Sequence, residues 1–176
     1  MTTTRPTRPA RPTDATALAA LLDRCSPATR HQRFHGVVTE IPAAYLRRCL
    51  SGEHVTRVAQ GGAELVGFAS AGPVFDEPTV HEVAVLVEDG WQRRGVGRAL
   101  VLALLADVPV PAVRMELTRS PLLDHLYATL PVIGTASYGN DVTIDIDVAA
   151  VMRAVPAPAP RPRCSAVRRR AAAALT

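Results

Sequence analysis

One stretch restricts the fold more than any other: Glu82-Val-Ala-Val-Leu-Val87, then a polar loop, then Gln92-Arg93-Arg94-Gly95-Val96-Gly97-Arg98-Ala99-Leu100. Val83–Val87 is apolar without alternation, which predicts a strand covered on both faces. Two glycines one residue apart then open a helix from about Gly95 to Ala106. Glycine at a helix start lets a ligand approach backbone that a Cβ would shield, and first-turn N–H groups with the helix dipole favour an anion. Arg93, Arg94 and Arg98 add positive charge around the same turn. The segment therefore predicts a phosphate-bearing ligand.

Two phosphate-binding patterns are excluded. A dinucleotide fingerprint requires Gly or Ala where Leu100 stands, and its glycines leave the strand directly, whereas residues 88–94 intervene here. Glu116 lies in the middle of a strand with the wrong lead-in for a ribose-binding acid. A P-loop needs Gly-Lys-Ser/Thr, and the chain contains no lysine.

Around this segment, periodicity predicts a helix over Ala15–Arg24 capped by Thr13 or Asp14, a second from Ser26-Pro27 to about Phe34, and a third opened by Pro42. Strands follow at His54–Gln60 and Glu64–Ser70 around Gly61-Gly62. A loop containing Gly72-Pro73 and Pro78 precedes a strand over Val80–Val87. After the glycine helix come a strand at Val113–Leu117, a helix from Ser120-Pro121 that stops before Pro131, and strands Val132–Tyr138 and Val142–Val148. This order reads as α/β (α+β) with a mixed sheet. Three parts are expected: a basic N-terminal segment over 1–12, one domain over 13–150, and a Pro/Arg/Ala-rich tail over 151–176 that favours an extended, solvated chain.

The formal net charge of +4 misrepresents the body. Nine arginines lie in residues 1–11 and 151–176 with no acid among them, leaving eleven against all sixteen acids in residues 12–150, a net of −5. No helix or strand carries a basic stripe interleaved with stacking aromatics, so nucleic acid is disfavoured as a partner. No apolar run approaches the eighteen or so residues of a membrane span, and the N-terminus has no apolar signal core, so a cytoplasmic protein without a membrane partner is expected. Cys25, Cys49 and Cys164 have neither redox nor metal spacing. His31 and His35 stand four apart with no third ligand near them in sequence, so no metal site is expected. A homodimer is left open.

Gln92-x-x-Gly95-x-Gly97 after a buried strand, with Arg98-Ala-Leu in the helix that follows, resembles the acyl-CoA signature of the GNAT superfamily of N-acetyltransferases. The resemblance spans roughly residues 10–148. It implies a mostly antiparallel sheet of six to seven strands flanked by helices, with acetyl-CoA as cosubstrate and an amine acceptor. The cofactor-binding set it implies is Val85, Leu86 and Val87 on the strand, Gln92, Arg93, Arg94, Gly95, Val96, Gly97 and Arg98 in the loop and helix start, and Ser120. By position, Glu82 stands where many members place a general base. Leu126-Tyr127-Ala-Thr-Leu130 resembles the motif whose tyrosine protonates the departing thiolate. Ser26–Phe34 is similar to the first helices of the protein-lysine acyltransferase-like branch. Two positions depart from the pattern: Ser120 replaces an Asn, and Pro131-Val132 replaces Gly-Phe.

The implied reaction is acetyl transfer to a primary amine (protein lysine, N-terminus or small amine) by direct attack. An ammonium has no lone pair, so a base must first take its proton. Glu82, partly buried beside Val83 and Val85, would have its proton affinity raised. Backbone N–H groups near Val85–Val87 would face the developing oxyanion if the sheet splays there. Tyr127, with a phenol pKa near 10, suits a thiolate leaving group. The acidic body favours a cationic acceptor by steering. The alternative is a catalytically impaired acyl-CoA-binding regulatory protein, motivated by the two departures.

Overall fold

The computed structural model describes residues 7–119 and 128–155. Seven strands form one sheet in the order β1-β2-β3-β4-β5-β7-β6. They are β1 Thr7–Pro9, β2 Val55–Gly61, β3 Glu64–Val74, β4 Glu77–Val87, β5 Ala112–Thr118, β6 Val132–Tyr138 and β7 Asp141–Asp147. Helices α1 Ala15–Arg24, α2 Pro27–Phe34 and α3 Ala43–Ser51 precede the second strand, α4 Val96–Leu105 links β4 to β5, and α5 Val148–Ala154 closes the fold. Every strand pair is antiparallel except β4–β5, which is parallel. No described helix is long and apolar enough to cross a membrane.

Two cores cover the two faces. Leu18, Leu21 and Leu22 of α1 bury against Val58, Phe68 and Leu86 on one face. Leu100, Leu104 and Leu105 of α4 bury against Ala69, Ala71, Val83, Ile144 and Ile146 on the other. Val83 and Leu86 are thus buried from opposite sides, which explains the non-alternating run in β4.

Three expectations need revision. The Gly72-Pro73 and Pro78 segment is not a loop, because β3 runs to Val74 and β4 begins at Glu77. Pro73 pairs with His81 next to a register shift and lies beyond the Val55↔Ala71 end of β2, where no ladder N–H is required. Residues 148–154 form α5, with the Asp147 side chain accepting from Ala150 N at 2.8 Å and Val148 and Val151 buried, so the folded unit continues beyond Ala150. The N-terminal segment also joins the body: Thr7–Pro9 pairs with Arg57–Ala59 of β2.

Asp14 holds that segment in place. Rather than capping α1, its carboxylate accepts from Arg8 Nη1 and Nη2 at 2.7 and 2.8 Å and from Arg11 N at 2.7 Å. The Arg8 hydrogen bonds hold the Asp14 pKa below its ordinary value. With Arg8, Arg11 and Arg153 inside the folded span, residues 7–155 carry fourteen arginines against all sixteen acids, a net of −2 rather than −5. Residues 156–176 of the tail and residues 120–127 of the helix expected from Ser120 to before Pro131, Ser120 and Tyr127 among them, lie outside the described residues.

Asp14→Asn is expected to lower the unfolding free energy by about 2 kcal/mol at pH 7, the scale of a charge-assisted pair, in urea denaturation. Because the folded pKa is depressed, the Asp14 contribution is full above about pH 4 and is lost as the pH falls from there through the folded value. The gap between parent and variant should narrow over that range. A gap constant from pH 7 to pH 3 would place the effect elsewhere.

Candidate active site

The parallel β4–β5 joint is only three pairs long, from Val80↔Ala112 to Glu82↔Arg114. Beyond it both strands continue with other partners. Val83–Val87 stays paired to β3, and Met115–Thr118 stays paired to β7. The sheet therefore opens into a cleft after Glu82. Glu88 N donates to Val66 O at 3.0 Å, and antiparallel alternation turns the N–H groups of Val85 and Val87 away from β3, toward the cleft. This is the splay that an oxyanion-binding role for this strand requires.

Arg114 closes the narrow end of the cleft. Its guanidinium donates to Asp145 of β7 at 2.8 and 3.0 Å and to Glu77 of β4 at 2.7 and 3.1 Å, joining the two halves of the sheet. These hydrogen bonds raise its pKa.

At the wide end, the loop after β4 leads into α4. Gly95 takes φ +80° as the residue before the helix, in the left-handed region that glycine favours. The first bond of α4 runs from Ala99 N to Gly95 O, so the N–H groups of Val96, Gly97 and Arg98 lack intrahelical acceptors. Gly97 is not forced by the protein itself: an added Cβ would meet only a Val87 methyl at 3.8 Å. A glycine in a helix costs about 1 kcal/mol relative to alanine, so an outside ligand is the better reason for it. Arg93, Arg94 and Arg98 are exposed. Arg94 lies over the Trp91 ring, 5.4 Å from its centroid, and Trp91 packs against Gly61 and the α4 core.

The loop is braced from below. Asp89 accepts from Ser26 N at 2.8 Å, Ser26 Oγ at 2.7 Å and Thr29 Oγ1 at 2.9 Å, and these hydrogen bonds lower its pKa. Gln92 Nε2 donates to Thr29 Oγ1 and to Val87 O, both at 3.0 Å. The Gln92 amide thus holds the loop to α2 and β4 rather than facing a ligand. Arg24 donates to Glu88 at 3.0 Å and to Leu65 O at 2.6 Å. Cys25 is buried, and burial beside Asp89 and Glu88 pushes its thiol up to about 11, in keeping with a packing role.

This geometry and the comparisons with known proteins agree. A model of the acetyltransferase (GNAT) family matches residues 16–117. The chain belongs to that family. The GNAT domain of S. lividans PAT is 20% identical, with TM-score 0.66, covering 80% of this chain and 89% of that one. Salmonella typhimurium yncA, solved with its cofactor acetyl-CoA, is 18% identical, with TM-score 0.62 and coverage of 82% and 94%. Diaminobutyrate acetyltransferase EctA from Paenibacillus lautus, solved with L-2,4-diaminobutyric acid and coenzyme A, is 17% identical, with TM-score 0.58 and coverage of 81% and 93%. No curated protein matches. As a GNAT member the protein is an acyltransferase, and acetyl-CoA is its family's cosubstrate. The open first turn of α4, the unforced Gly97 and the arginines around them suit a pyrophosphate.

On the face opposite α4, Glu82 is exposed; the burial expected beside Val83 and Val85 is absent because those residues turn to the other face. Glu82 pairs across the ladder with Gly72, and the space of a Gly72 Cβ is filled by the His54 imidazole. Burial and the nearby Arg48 lower the His54 pKa, keeping it neutral, and its Nδ1 is buried without a partner. His54 meets Tyr45 edge-on, with centroids 5.7 Å apart. Tyr45 Oη hydrogen-bonds with Ser70 and accepts from Arg33, and burial raises its pKa. His54, Tyr45 and Arg33 escaped notice in the sequence because they sit on three separate elements and reach Glu82 only through β3. His35 changes likewise: the fold brings it to Glu116 and Asp141, with one ligand atom from each lying within 4.8 Å of the others.

Gly97→Ala is expected to raise unfolding free energy by up to about 1 kcal/mol while weakening CoA binding at least tenfold, read by urea denaturation and calorimetric titration. A variant that binds CoA like the parent would move the pyrophosphate away from this turn.

Proposed function

We propose that the protein transfers the acetyl group of acetyl-CoA to a primary amine by direct attack. The opening of the sheet immediately after Glu82, with the α4 turn at its far end, carries this reading: a donor held at the turn reaches into the cleft past Val85 and Val87. In this reading the N–H groups of Val96, Gly97 and Arg98 and the side chains of Arg93, Arg94 and Arg98 hold the pyrophosphate. Gln92 keeps the loop in position. The Val85 and Val87 N–H groups face the carbonyl oxygen as it gains charge.

Glu82, at the point where the strands part, takes the proton from the acceptor ammonium. Its exposure favours transfer through a water, and neutral His54 on the same face is the second group able to accept that proton. The amine nitrogen then forms a bond to the carbonyl carbon and gives up its extra proton to water, the C–S bond breaks, and the thiolate takes a proton. In this reading, which follows the family resemblance, Tyr127 gives that last proton, and Ser120 and Leu86 are among the cofactor contacts.

The test is CoA release with acetyl-CoA against a panel of amines, amino acids and peptides. Glu82→Gln is expected to lower kcat by about 100-fold with CoA affinity unchanged, and Tyr127→Phe to lower it less. Full activity in Glu82→Gln would move the base to His54, whereas CoA binding without transfer to any amine would overturn the enzymatic reading.

A further inference from the structure

Arg33 stands apart from the other half-buried arginines, each of which has a carboxylate or, for Arg30, the backbone oxygens of Cys25 and Asp23 at 3.0 Å as acceptors. Arg8 pairs with Asp14, Arg24 with Glu88, Arg57 with Asp107, and Arg114 with Glu77 and Asp145. Arg33 has no carboxylate partner among the described residues. Aromatic rings surround it instead: its guanidinium carbon lies 4.6 Å from the Phe34 centroid, 5.0 Å from Tyr45 and 5.7 Å from Phe68. Its Nη2 donates to the Tyr45 hydroxyl, its Nε is buried without a partner, and no described residue accepts from its Nη1. A guanidinium stays charged at any accessible pH. A partly desolvated charge without a counter-charge is destabilising unless something else supplies one.

The location indicates what supplies it. Tyr45 joins Arg33 to Ser70, and Ser70 is two residues from Gly72, roughly 7 Å along the strand. Gly72 in turn faces Glu82 across the ladder. Arg33 therefore sits on the acceptor side of the cleft, on the face opposite α4. Carboxylates line that same side: Glu82, and beyond the joint Glu116 with Asp141. A cationic group and carboxylates thus share one face of the sheet beside the cleft.

We infer that Arg33 is the specificity residue for the acceptor, binding a carboxylate carried by the amine substrate. The inference rests on the acetyl-transfer reading. The favoured acceptor is an amino acid or acidic peptide whose ammonium approaches Glu82 while its carboxylate accepts from the open edge of Arg33. The stacked rings hold the guanidinium plane in place, so the pair forms without ordering a long side chain.

The test compares matched acceptors differing only at the carboxylate: lysine with cadaverine, 2,4-diaminobutyrate with 1,3-diaminopropane, and alanine with alaninamide. The parent enzyme should show a KM about 10–100-fold lower for the carboxylate member of the productive pair, the scale of a charge-assisted hydrogen bond. Arg33→Gln should erase that ratio by raising only the KM of the carboxylate member, leaving kcat with the amine and CoA affinity unchanged. Arg33→Lys should restore part of it. Equal KM values across every pair in the parent enzyme would overturn the inference while leaving acetyl transfer standing, and no folded variant is needed for that outcome. Loss of CoA affinity in Arg33→Gln would also overturn it, by assigning Arg33 to the donor. Absence of transfer to every amine would instead count against the acetyl-transfer reading itself.

Discussion

The three-residue parallel joint between β4 and β5 is the constraint on which the rest depends. Each side of it is a self-sufficient antiparallel unit: β1–β4 share one set of ladders and β5–β7 another. Neither unit needs the other's hydrogen bonds beyond Glu82↔Arg114, so the strands can part there without orphaning most of their backbone. Parting leaves a short row of strand N–H groups facing open space inside an otherwise satisfied sheet. Such groups are costly when buried and unpaired, and they are useful when a substrate carbonyl fills the gap. Arg114, tied to both Glu77 and Asp145, keeps the opening from extending downward.

The upper end of the cleft depends on polar bracing rather than apolar packing. The residues between β4 and α4 are mostly exposed, yet Asp89, Gln92 and Glu88 each reach back to α1, α2 or β3. Ser26 is shared between two tasks. It caps α2 by accepting from Thr29 N at 3.2 Å, and it donates to Asp89. The same helix start that shapes α2 therefore positions the loop on which the proposed phosphate contacts depend. This coupling explains why a loop without a core of its own can present a fixed first turn to a ligand.

Much of this was legible in the sequence where the signal was local. Gly95-x-Gly97, the Ser26-Pro27 cap and the Gly61-Gly62 hairpin each rest on a few adjacent residues, and each stands where expected. The failures share a cause. Pro73 reads as a chain breaker, but its tolerance depends on where β2 ends, which no local pattern reveals. Glu82 was expected to be buried because its neighbours are apolar, yet strand alternation sends Val83 and Val85 to the opposite face. Asp14 looked like a helix cap and is instead the counter-ion of a strand that pairs more than forty residues away. Contacts across the sheet decided each case.

The charge of the acceptor side shows why net charge was a poor guide. A body of −5 suggested steering of a cation, but the N-terminal strand brings Arg8 and Arg11 into the fold and α5 brings Arg153, which reduces the net charge to −2. At that value, the placement of individual charges outweighs their sum, because fields from exposed residues are screened within about 8–10 Å in salt. Arg8 is neutralised at once by Asp14 and contributes little field beyond it. Arg33, held by rings and without a carboxylate partner among the described residues, keeps its charge on the face that carries Glu82. The side of the cleft that a net-charge argument treats as uniformly acidic is thus divided, with carboxylates at the strand ends and, between α2 and β3, a guanidinium that no described carboxylate neutralises. In the proposed reading, a site divided this way discriminates between acceptors by the spacing of their charges rather than by their sign.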